Sequence, residues 1–232
     1  MGGEFTYVDL FATKGAEYML VLAFLALLVP FWQVLNRPVR AGLRAARRLG
    51  ASIAHWFRLP EGIYYHLGHS WAMPQGEVVR VGVDDFAQRL VGRPQALHLP
   101  PVGSRVEQGE VAWRLSVDSK AVDMLSPVTG EVVAVNERVL ERPELINQDP
   151  YGEGWLLAVK PHNHRANFRN LLRGKVANAW MRVTADALQE RMGGELGTVL
   201  QDGGLPVTGL ARALWLDGWD RMAREFLLTA EG

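Results

Sequence analysis

The 232-residue sequence contains no cysteine. That excludes disulfides, thiolate-ligated zinc or iron–sulfur sites and thiol nucleophiles within the chain. An excess of charge of either sign is also missing. Twenty-five Lys and Arg balance 25 Asp and Glu, which argues against a nucleic-acid partner. No P-loop, dinucleotide fingerprint, nucleophile elbow, zinc-protease motif or CxxCH haem site occurs, and no pair of acids can be assigned to proton transfer. No catalytic residue, no metal and no small-molecule substrate of the chain's own are therefore expected. His66 and His69 stand three apart in "HLGH", but Gly68 and the neighbouring strand pattern disfavour a ligating helix. His162 and His164 have no carboxylate or thiolate partners nearby in sequence and read as a surface turn.

What is there begins with a hydrophobic run, "GAEYMLVLAFLALLVPFWQVLN" (15–36), in which Gln33 is the one strongly polar residue between Tyr18 and Leu35. At ~1.5 Å per residue, about twenty helical residues span the hydrocarbon core. The run is too long for a signal peptide and no small-residue cleavage site follows it, so a transmembrane helix is expected over 16–36. The N-terminal side carries Glu4, Asp9 and Glu17 against Lys14, and Arg37, Arg40, Arg44, Arg47, Arg48 and Arg58 lie on the C-terminal side. The positive-inside rule then places the rest of the chain on the cytoplasmic face of the inner membrane, anchored by a single pass. Residues 37–59 have helical periodicity with a basic face. Arg40, Arg44, Arg47 and Arg48 are candidates for contact with anionic lipid, and packing of this helix on the soluble domain or on a partner is the equal alternative.

From residue 60 the pattern changes to strands, read over 77–83, 111–117, 122–125, 131–135 and 155–159, with one short helix over 84–92 that starts at an acidic N-cap and ends on a glycine. Many short strands and turns imply a small β-sandwich or barrel. The pieces "GHSWA" (68–72), "VRVGVDDFAQRLVG" (79–92), "LPPVGSRVEQGE" (99–110), "SPVTGEVVAVNE" (126–137) and "PELINQDPYGEGWLLAVKP" (143–161) follow one another in family order and at family spacing. Over about 65–161 the sequence resembles the H-protein of the glycine cleavage system. The resemblance implies a barrel-sandwich hybrid of the lipoyl-domain kind, a carrier rather than a catalyst, and a lysine at a hairpin tip that bears a lipoyl group.

Lysine is scarce, four in the chain, and Lys120 lies in "SVDSKAVDMLSPVTGEVVAVN" (116–136). The family motif resembles "ESVKAxSDIYSPVSGEV", with its lysine eight residues before the proline. Here Pro127 follows Lys120 by seven. Counting from Gly109 and from Pro127 without a gap puts Ser119 at the lipoyl position and Ser116 where the family has glutamate. Because side chains alternate faces along a strand, a shift of one residue redirects the lysine.

The chain continues beyond the resemblance. Arg165, Arg169 and Arg173 would form a basic stripe on a helix. Val176, Trp180, Val183 and Ala187 would form an apolar one, and Trp219, Met222, Ala223 and Phe226 a third. This extension either caps the barrel or docks partner subunits, in which case Trp180, Trp215, Trp219 and Phe226 are the candidate anchors. The expected organisation is an N-terminal segment (1–15), a transmembrane helix (16–36), a basic amphipathic helix (37–59), a mostly β H-protein-like domain (60–161) and a helical extension (162–232). The expected role is a non-catalytic, cofactor-free scaffold subunit of a membrane complex, with redox, respiratory or photosynthetic complexes the first choice. The alternative is a membrane-tethered carrier with lipoate on Lys120.

Overall fold

The computed structural model describes residues 15, 18–28, 31, 53–192, 208–215 and 217–229. The chain divides into two units, 1–48 and 49–232. In the first unit residues 18–28 are helical, and large apolar side chains such as Leu20, Leu22, Phe24 and Leu27 are exposed. Among the described residues no helix is long and apolar enough to cross a membrane. The transmembrane helix expected over 16–36 is therefore not part of the described fold. Arg40, Arg44, Arg47 and Arg48 lie outside the described residues.

The second unit is built on two antiparallel sheets. Strands β1 (Tyr64–Tyr65), β2 (Ser70–Gln75), β3 (Val78–Val83), β5 (Arg105–Val106), β8 (Gly130–Val135) and β9 (Leu157–Pro161) form a six-stranded sheet in the order β1-β2-β3-β9-β8-β5. Strands β4 (Ala96–His98), β6 (Val111–Val117) and β7 (Lys120–Leu125) form a three-stranded sheet in the order β4-β6-β7. The alternation expected of half-buried strands is plain in β6 from Trp113 on, where Trp113, Leu115 and Val117 are buried and Arg114 is exposed; the pairing with β7 shifts register between Val111 and Trp113. The core joins both sheets through Val79, Val81, Leu115, Val122, Met124, Val132 and Leu157.

Helix α1 (Asp85–Val91) bridges β3 and β4. It starts where the sequence predicts: the Asp84 carboxylate accepts the Ala87 N–H at 2.8 Å, and Gly92 closes the helix at φ 93°. Two short helices, α2 (Glu137–Glu141) and α3 (Leu145–Gln148), separate β8 from β9. Ile53 and Phe57, apolar positions of the predicted juxtamembrane helix, are buried in this core, with Phe57 edge-on to Phe86 at 4.9 Å.

After β9 come α4 (His164–Arg169), α5 (Gly174–Arg191), α6 (Leu210–Leu214) and α7 (Trp219–Phe226). Two stripes differ from expectation. The basic stripe is broken, because α4 ends at Arg169 and Arg173 is the N-cap of α5. On α5 the buried face is Ala177, Met181, Thr184, Ala185 and Leu188, whereas Val176 and Val183 are 61% and 67% exposed. Two apolar stripes run side by side on this helix. The small side chains Ala177 and Ala185 allow the closer approach to the domain and so win the buried face.

Candidate functional site

Strands β6 and β7 are joined by the two-residue turn Asp118–Ser119, with Val117 paired to Lys120 and Ser116 to Ala121. Asp118 adopts φ 54°, the left-handed conformation that two-residue hairpin turns need at their first central position and that Asp tolerates. Ser119 is exposed at the tip. Lys120 begins β7 two residues before the strand expected from sequence. Directly opposed residues share a face. Lys120 therefore projects on the same side as Val117, Val122 and Met124, all buried. Its side chain leaves the hairpin toward the C-terminal helices and is 38% exposed.

There it meets α7. Lys120 Nζ donates to Asp220 Oδ1 at 2.5 Å and lies 5.9 Å from the centroid of the Trp219 ring. Asp220 is in the first turn of α7, where the helix dipole favours an acid, and its other oxygen accepts from Arg224 one turn later. The Lys120 hydrogen bond, reinforced by Arg224, holds the Asp220 carboxyl below the ordinary carboxylate range. On the other side of the turn Arg212 of α6 donates to Asp118 at 2.6 Å. The hairpin tip is thus gripped by a lysine–aspartate pair and an aspartate–arginine pair of opposite polarity.

Helices α6 and α7 are themselves fixed to the domain. Trp219, Ala223 and Leu227 are buried, Phe226 packs 5.6 Å from Phe86, and the Gly209 N–H donates to the Arg89 carbonyl at 2.7 Å. Trp180 lies 4.6 Å from His69, and Trp215 packs partly buried against the same core. The four aromatics that sequence offered as partner anchors are thus packed on the chain's own core.

His69, at φ 62°, is buried between Phe86 at 4.2 Å and Trp180, with Nδ1 2.8 Å from Asp84 Oδ2. It closes the fold around α1. His66 Nδ1 accepts the Gly68 N–H at 3.1 Å, and burial lowers its pKa. Among the described residues no group of three or more His, Asp or Glu is placed to hold a metal. A cleft of about 580 Å³ lies between 59–65 and the start of α5, lined in part by Tyr64, Tyr65, Arg173 and Lys175. None of its lining residues belongs to the hairpin, α6 or α7.

Sequence reasoning missed Asp118, Asp220, Arg212 and Arg224 as a set. Lys120 and Asp220 are separated by 100 positions, so no local pattern joins them. The one available signal was charge: an acid directly after a tryptophan at the head of an amphipathic helix, in a chain with few lysines.

The family model for the glycine cleavage H-protein matches residues 63–183, more than half of the chain. The glycine cleavage system H protein of Thermus thermophilus is 43% identical over 105 residues, covering 45% of this chain and 82% of that protein. A probable glycine cleavage system H protein of Natronomonas pharaonis is 47% identical over 105 residues, with the same coverage. Among solved structures, a glycine cleavage system H protein from Mycobacterium marinum matches with TM-score 0.47 and 30% identity, over 52% of this chain and 96% of that one. The hairpin, α1 and both sheets fall inside the matched residues, and α6 and α7 outside them. The chain belongs to the glycine cleavage H-protein family.

Proposed function

We propose that this protein is a non-catalytic carrier of the H-protein kind, with Lys120 as the residue that takes a lipoyl group. Family membership favours this reading over that of a cofactor-free scaffold. The observation that carries it is a lysine beside a two-residue hairpin turn inside the family domain. Lipoate is held as an amide, and an amide needs an amine. Ser119, at the position reached by ungapped counting, offers only a hydroxyl, while Lys120 is its sequence neighbour and 38% exposed. The residues fit the group once the Lys120 amine leaves Asp220, because an acylated nitrogen carries no charge to pair. When bound, the lipoyl group would supply a reversible dithiol at the end of a long arm. The chain's own part is to present the lysine at the hairpin, with Asp118 holding the turn.

A membrane tether remains part of the proposal, supported by the exposed apolar side chains of the helical residues 18–28 and by the arginines that follow. Docking of membrane-complex subunits on the cytoplasmic face is the corresponding proposal for partners. The scaffold reading keeps one observation in its favour, the engagement of the Lys120 amine by Asp220. Intact-mass analysis of the protein from cells with lipoylation machinery separates the two. The carrier reading expects the mass of one lipoyl amide, lost in Lys120→Arg. An unmodified mass under conditions that lipoylate an ordinary H-protein would refute it.

A further inference from the structure

We infer that α7 is an intramolecular retainer of the unmodified lysine: Asp220 and Trp219 hold the charged Lys120 amine against the fold, and acylation of Nζ, which removes the charge, releases it. The inference rests on the carrier reading for its biological consequence, but not for its test. Three observations support it. First, strand pairing puts Lys120 on the face of the hairpin that carries Val117, Val122 and Met124, and there its amine meets Asp220 of α7. Second, α6 and α7 lie beyond the residues matched by the family, so this grip is an addition to the carrier domain. It engages both sides of the turn, at Lys120 through Asp220 and at Asp118 through Arg212.

Third, the two sides of the contact differ in burial. Trp219, Ala223 and Leu227 are buried, so α7 is a fixed wall, whereas Lys120 is a long side chain with several rotatable bonds. Exchange therefore consists of the lysine swinging off the wall, with no unfolding of the helix. Asp220 tolerates that loss because Arg224 remains bonded to its second oxygen, so the acid is not stranded without a cation. The amine alternates between a held position and a free one, and only the free one can attack an activated acyl group. The freed ammonium first loses one proton to solvent; the neutral amine then attacks, the N–C bond forms, the bond from the acyl carbon to its leaving group breaks, and a second N–H proton passes to solvent. The neutral amide that results can no longer pair as a cation with Asp220.

The test is competitive acylation of the full chain with a limiting amount of the N-hydroxysuccinimide ester of acetic acid, followed by mass spectrometry of each lysine peptide. Lys160 and Lys175, both exposed, are internal references. Lys120 is expected to label roughly three- to tenfold more slowly than either. Asp220→Asn, which keeps the shape and removes the charge, should bring Lys120 within about a factor of two of them. Equal labelling in the unaltered chain overturns the inference, as does an unchanged ratio in a folded Asp220→Asn protein. If that variant does not fold, the unaltered chain decides. Raising ionic strength from about 0.05 M to about 1 M shortens the Debye length to ~3 Å, and the relative rate at Lys120 must rise; a flat response overturns the retainer. Lipoylation of both proteins by a lipoate-transferring enzyme is scored separately. Faster labelling without any lipoylation leaves the retainer standing and removes the carrier reading. Lipoylation with no change in labelling does the reverse.

Discussion

Gly92→Ala should loosen the attachment of α6 to α1, and its size can be worked from two local facts. Gly92 closes α1 at φ 93°, ψ −159°, a region that is essentially reserved for glycine and costs an L-residue about 1–3 kcal/mol. A Cβ there would also lie 2.9 Å from the Gly209 Cα. Carbon atoms pack at about 3.5–4.0 Å, so the Gly209 backbone must retreat. In doing so it strains the 2.7 Å hydrogen bond from Gly209 to Arg89, which is worth about 1 kcal/mol. The total is about 2–4 kcal/mol, or roughly 4–16 °C in Tm for a domain of this size. Gly103→Ala provides the control. It shares a positive φ of 87° but has nothing within 4 Å of the new Cβ, so it carries the backbone cost alone. Urea denaturation of the three proteins measures the difference. Equal destabilisation by the two substitutions would refute the close approach of α6 to α1.

Two further outcomes are expected. Because the Asp220 pKa is lowered on folding by its bond to Lys120, its contribution is fully present above the unfolded carboxylate value near 3.9 and is lost as pH falls through the folded value. The stability gap between the unaltered protein and Asp220→Asn should therefore be constant at neutral pH and close below about pH 4. A gap that persists in acid counts against the pair. Asp84→Ala removes both the cap on Ala87 and the partner of buried His69. It should cost about 2–4 kcal/mol, read as a fall in Tm with the loss of protection of the α1 amides to hydrogen exchange.

The parts of the fold that sequence displayed were those with local causes. Strand β6 alternates from Trp113 to Val117, and α1 has its acid cap and terminal glycine. Strand β2, "SWAMPQ", was missed because the exposed Pro74 and Gln75 mask its pairing with β3. Strands β4 and β5, at three and two residues, are too short to carry a period. The start of β7 was missed because Lys120 and Ala121 carry no strand signature, and their place is set by pairing across the turn to Val117 and Ser116. The candidate site was half visible. Counting along the motif located the hairpin, but which way the lysine faces depends on cross-strand register. What it faces depends on a helix 100 residues away.

That separation has a consequence in time. Asp220 follows Lys120 by 100 residues, and ribosomes add roughly 5–20 residues per second. The lysine is therefore synthesised roughly 5–20 s before its acid. For that interval a nascent chain offers Lys120 without Asp220, and a modifying enzyme acting during translation meets a different substrate from one acting on the finished protein.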